Sequence, residues 1–116
     1  MSKRDAITAH KNEILRRKTE KYIRENLSHA SVEELAVLLG FSRVYTGRLV
    51  KRLTGSSFKT LLQEARLKAA AREIRSTNKK IGEIILECGY ENESFFRRIF
   101  KKEFGETPLE YRKKHK

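Results

Sequence analysis

The stretch Cys88-Gly89-Tyr90-Glu91-Asn92-Glu93-Ser94-Phe95-Phe96-Arg97-Arg98-Ile99-Phe100-Lys101-Lys102-Glu103-Phe104-Gly105-Glu106-Thr107-Pro108-Leu109-Glu110-Tyr111-Arg112 decides the fold. On a helix, at about 100° per residue, Phe96, Ile99, Phe100 and Phe104 fall on one stripe. Ser94, Arg98 and Lys101 look away from it, with Arg97 at their flank. One side of this helix is therefore apolar and the other cationic. Asn92 suits the position before its first turn, and Gly105 suits the left-handed residue that ends it. Thr107, Pro108 and Glu110 then open a further short helix, with a cap, a proline at the first helical position and the partner of a capping box.

A cationic helix face is ordinarily just a solvated one. Here, however, the pattern occurs twice. Leu35 to Gly55 repeats as Ile84 to Gly105: Gly40 maps onto Gly89, while Arg48, Lys51 and Gly55 map onto Arg98, Lys101 and Gly105 at a spacing one residue longer. Each copy holds a short apolar helix, a turn with glycine and an aromatic residue, and a longer helix with one basic face. That is the pattern of a helix-turn-helix unit, and the chain reads as an internal duplication with one residue inserted in the second turn.

Residues Gly89-Tyr90, Ser94-Phe95-Phe96, Arg98, Phe100-Lys101-Lys102, Gly105, Thr107-Pro108 and Tyr111-Arg112 stand in the order found in the AraC/XylS family of bacterial transcription regulators. The chain resembles the DNA-binding domain of that family, and the likeness reaches back to about Arg17. The resemblance implies an asymmetric site on double-stranded DNA and activation through contact with RNA polymerase. It also implies that a separate N-terminal sensor or dimerisation domain belongs to the parent protein, and a bacterial cytoplasmic, nucleoid-associated location. One departure bears on the helix crossing of the second unit: Ile85 stands where the first has Ala36 and where the family usually keeps a small residue.

The chain's 116 residues suit one domain or two very small lobes sharing a helix. Its net charge of +12 makes a polyanion the natural partner. No apolar run approaches the roughly 20 residues that span a bilayer, and nothing at the N-terminus resembles a signal peptide. The single cysteine, Cys88, excludes an internal disulfide and a thiolate zinc site, and reads as a buried structural thiol.

The expected fold is all-α, with about seven helices in two helix-turn-helix subdomains. Residues 1–12 read as a flexible tail or linker remnant, and 13–56 as the first lobe, opening on a helix from Glu13 to Leu27. Within that lobe Ser31 and Glu34 form an expected capping box, and Ser42 caps the second helix of the motif. Residues 57–76 form a connecting helix and 77–116 the second lobe. A continuous helix from Ser57 to about Arg75, roughly 28 Å long at 1.5 Å per residue, would fix separation and phase, where a Gly/Ser linker would not.

No catalytic constellation is present. His10, His29 and His115 are far apart without metal-ligand spacing, no glycine loop cradles a phosphate, and no cofactor or metal is expected. Duplex DNA fits better, because the major groove admits a helix and arginine can donate two bonds to guanine. The outward positions in the first half of each second helix are the candidate base readers: Arg43, Val44, Gly47 and Arg48, then Glu93, Ser94, Arg97 and Arg98. The family's contact positions select nearly the same residues. Lys51, Arg52, Lys101 and Lys102 lie further along and suit phosphates. Two read segments should lie about 34 Å apart along one face of the duplex. Rival readings are an RNA-binding module, disfavoured because the aromatics sit at core spacing, and a protein-interaction module with merely solvated basic faces.

Overall fold

Local caps set most of the helix ends. In the computed structural model, which describes residues 2–115, the order is α1 (Lys3–Glu25), α2 (Val32–Leu39), α3 (Arg43–Thr54), α4 (Phe58–Ser76), α5 (Ile81–Glu87), α6 (Glu93–Phe104) and α7 (Pro108–Lys114). Among the described residues there is no strand, so the all-α expectation holds. Side chains of Ser31, Ser42, Asn92 and Thr107 each accept a backbone N–H in the first turn of the helix that follows. The glycines paired by the duplication, Gly40 with Gly89 and Gly55 with Gly105, are also the glycines with positive φ. A Cβ at Gly40 would meet nothing within 4 Å. Glycine is needed there for its backbone angle, not to let two helices approach.

The chain divides within α4, after Leu62. The first unit holds α1, α2, α3 and the first turn of α4. Its core is aliphatic, built on Ile23, Leu35, Ala36, Leu49 and Val50. Two buried threonines satisfy their hydroxyls on their own helices: Thr19 donates to the Leu15 carbonyl at 2.9 Å and Thr46 to that of Ser42 at 2.7 Å.

Two expectations for this unit need correction. Helix α1 begins at Lys3, capped by Ser2, so residues 3–12 are helical and not an irregular tail. They bury nothing, which is why no apolar stripe announced them; Met1 lies outside the described residues. The Ser31 capping box is also not closed by Glu34. Ser31 N–H donates to the Tyr22 hydroxyl at 3.0 Å, and that hydroxyl donates to Glu34 Oε1 at 2.8 Å. Tyr22 from α1 is thus inserted between the two partners of the box. It ties α1 to the start of α2 while satisfying the N–H the box exists to satisfy.

The second unit is aromatic. Phe96 and Phe100 are fully buried, and ring contacts run from Tyr90 through Phe96 and Phe100 to Tyr111 at centroid distances of 5.1, 5.6 and 5.4 Å. Ile85 is fully buried, as Ala36 nearly is, so the larger residue is absorbed by the core at the crossing. Leu67, Ala70, Ala71 and Ile74 of α4 belong to this core. The connecting helix is therefore not a separate segment. One turn packs in the first unit and the rest supplies a wall of the second. The capping box of Thr107 and Glu110 is complete, as the sequence indicates. Arg112 donates from Nε to the Ile74 carbonyl at 2.8 Å, and Arg75 donates to the Tyr111 hydroxyl at 3.2 Å. Those bonds fasten α7 to the end of α4. Cys88 is buried, and burial pushes its thiol pKa up, helped by the Glu73 and Glu87 carboxylates.

A candidate nucleic-acid interface on α3 and α6

Helices α3 and α6 each have 12 residues, and each starts at a polar cap and ends at a left-handed glycine. Their inward faces are fixed by Thr46, Leu49 and Val50 in α3, and by Phe96 and Phe100 in α6. With those positions in the core, the outward residues are determined by the 3.6-residue period. Arg43, Val44, Arg48, Lys51 and Arg52 are exposed on α3, and Glu93, Ser94, Arg97, Arg98, Lys101 and Lys102 on α6. Gly47 is half-buried, and a Cβ there would meet nothing within 4 Å. Internal packing does not require the glycine.

The exposed cations differ in what holds them. Arg43 Nε lies 2.6 Å from Glu33 Oε1, so the first turn of α3 is pinned to the first turn of α2. The Arg43 hydrogen bond holds the Glu33 carboxyl below its usual range. Arg48 has no hydrogen-bond or ion-pair partner among the described residues. It flanks a shallow recess of about 470 Å³ whose wall includes Val32, Val44, Gly47 and Phe58, with Arg43 and Lys59 also at its edge. On α6, the Arg98 guanidinium carbon lies 5.7 Å from the centre of the Phe95 ring, a cation–π contact that steadies the side chain. Arg97 Nη2 is 3.7 Å from Glu93 Oε2.

The structure thus brings Arg43, Val44, Gly47 and Arg48 together on one surface of the first unit. In the second unit it groups Glu93, Ser94, Arg97 and Arg98. Lys51 and Arg52, and Lys101 and Lys102, sit in the last turns of the same helices. Sequence reasoning missed Glu33, because a pair ten residues apart across a turn follows no helical spacing. It also missed the Phe95 support for Arg98, although an aromatic three residues before an arginine was a readable signal. Among the described residues no group of histidine, cysteine and carboxylate side chains could hold a metal ion, and no helix is long and apolar enough to cross a membrane.

Known proteins share this chain's sequence pattern and fold. The profile of a family described as a helix-turn-helix domain matches residues 35–114. Regulatory protein SoxS of Salmonella typhimurium is 32% identical over 82 residues, covering 71% of this chain and 77% of that protein. A transcriptional regulator with an AraC-type DNA-binding domain from Chromobacterium violaceum superposes with a TM-score of 0.82 at 26% identity, over 89% of this chain and 93% of that one. The DNA-binding domain of AdpA, solved in complex with a target DNA, superposes with a TM-score of 0.73 at 26% identity, over 84% and 88% of the two chains.

Proposed function

Because the chain belongs to the AraC/XylS family, as a DNA-binding domain of a transcription regulator, we propose that it reads a specific duplex sequence with α3 and α6 in successive major grooves. The observation that carries this reading is the duplication of an exposed arginine, Arg48 in α3 and Arg98 in α6. Each lies on the face opposite its helix's buried stripe, and neither is ion-paired to an acidic side chain of the described residues. Arginine so placed can donate to O6 and N7 of guanine. Val44 is 60% exposed beside Arg48 and suits the methyl group of thymine. Ser94 and Arg97 extend the readable edge of α6, and Gly47 leaves the groove side of α3 open. Lys51, Arg52, Lys101 and Lys102 supply phosphate contacts that add affinity without sequence information. Family kinship supports activation through RNA polymerase as the outcome of binding.

The test is the salt dependence of binding to duplex DNA, with structured RNA as competitor. Each neutralised phosphate steepens the slope of log affinity against log salt by about 0.9. The four phosphate contacts named here therefore predict about −4, and further basic side chains of the surface reaching phosphates would steepen it to at most about −9. A slope flatter than about −2, or preference for RNA, would remove the reading.

A further inference from the structure

The duplication sets two positions of the first unit against two of the second. At the spacing that maps Gly40 onto Gly89, Glu33 maps onto Gly82. At the spacing that maps Arg48 onto Arg98, Arg43 maps onto Glu93. In the first unit this pair of positions is an ion pair, with Arg43 Nε 2.6 Å from Glu33 Oε1. In the second unit the outer partner has changed sign and the inner one has lost its side chain. A Cβ at Gly82 would lie 3.0 Å from Glu93 Oε1, so Gly82 is the space in which the Glu93 carboxylate rests. No charge from α5 answers it there. Its ion-pair partner is Arg97, one turn along the same helix at 3.7 Å, and both side chains are about half exposed, 50% for Glu93 and 46% for Arg97.

A carboxylate at the start of a helix otherwise suited to a polyanion opposes binding unless it meets a donor. Phosphates offer none. At major-groove base edges the donors are the exocyclic amines, and the amine of cytosine is the one a carboxylate accepts from directly. Resting on the proposed base-reading role of α6, we infer that Glu93 selects a cytosine through its N4 amine, with Gly82 keeping the carboxylate unclamped for that contact. Arg97, adjacent on the same face, offsets the negative charge while the contact forms. The corresponding arginine of the first unit is held by Glu33. The two units therefore differ at equivalent positions: the second accepts from a base where the first has its charge tied down. This difference gives each half of the site its own preference and makes the site asymmetric.

Selection of bound sequences from a random duplex library, run on the full chain and three variants, tests the inference. The unaltered protein should favour cytosine about tenfold at one position. Glu93→Gln should move that preference to adenine, which a side-chain amide reads through N6 and N7, and leave other positions alone. Glu93→Asp keeps the charge at the helix N-terminus but shortens its reach, so the cytosine preference should fall about tenfold; a merely helix-stabilising role would leave it unchanged. The exchange Gly82→Glu with Glu93→Arg rebuilds the ion pair of the first unit, and should lose the cytosine preference without gaining one for guanine. The inference is overturned if Glu93→Gln leaves every position as it was, or weakens all sequences alike. A protein that binds duplex DNA with no base preference anywhere would instead defeat the proposed function itself.

Discussion

Helix α3 carries Arg43 and Arg48, both outward, and their surroundings predict different losses on truncation. Arg48 has no partner among the described residues, so Arg48→Ala removes no intramolecular bond and exchanges one good helix former for a better one. Its effect on stability should stay within about 0.5 kcal/mol. If Arg48 reads a guanine as proposed, the substitution should weaken binding by about 1–3 kcal/mol, confined to one base pair. Arg43 is already engaged with Glu33, and the side chains are 64% and 59% exposed. A pair that exposed adds little to stability, yet Arg43 would have to surrender it before donating to a base. Arg43→Ala should therefore relax sequence preference by clearly less than Arg48→Ala and cost somewhat more stability. Fluorescence anisotropy on a selected duplex and on its single-base-pair variants measures the first quantity; thermal unfolding followed by circular dichroism measures the second. If Arg43→Ala relaxed one base position strongly while Arg48→Ala left the ranking of sequences unchanged, the assignment of the reading arginine in α3 would be wrong.

Tyr22→Phe removes the hydroxyl between Ser31 N–H and Glu34, leaving the N–H without its acceptor; unfolding free energy should fall by about 1–3 kcal/mol, and an unchanged denaturant midpoint would contradict the relay. Burial pushes the Tyr90 phenol up to about 12 from its ordinary 10.0. A raised pKa means this contribution is intact below pH 10 and lost as pH climbs through 12, amounting to about 2–3 kcal/mol. Alkaline unfolding followed by tyrosine absorbance should thus move to higher pH in Tyr90→Phe, and no movement would count against it. Gly47→Ala fills open space inside a helix, so it should raise stability by about 0.5–1 kcal/mol in thermal melts; a destabilised variant would mean that the site is strained.

What the sequence revealed and what it hid divide along a physical line. The ends of α3, α6 and α7 were legible because capping is local: Ser42, Asn92 and Thr107 hydrogen-bond within their own first turns, and Gly55 and Gly105 close the ends of α3 and α6. The inward stripes of α3 and α6 were legible because each helix presents one face to one core. Helix α4 was less so, since its apolar residues divide between two cores, with Leu67, Ala70 and Ala71 belonging to the second. The first turns of α1 were hidden because a helix that buries nothing leaves no hydrophobic period. At the interface, the exposed positions followed from the period alone. The bond from Arg43 to Glu33, the Tyr22 hydroxyl in the Ser31 cap and the Glu93 carboxylate over Gly82 did not. Each joins residues from different helices, where only three-dimensional placement decides.

The most direct test of the central claim is the sequence motif recovered from a random duplex library by the unaltered chain. Two helices reading one duplex predict two segments of preference with different sequences, their centres about 10 base pairs apart. In Arg48→Ala one segment alone should lose a guanine, and in Arg98→Ala the other. A single preferred segment, or one motif altered in the same way by both substitutions, would contradict it.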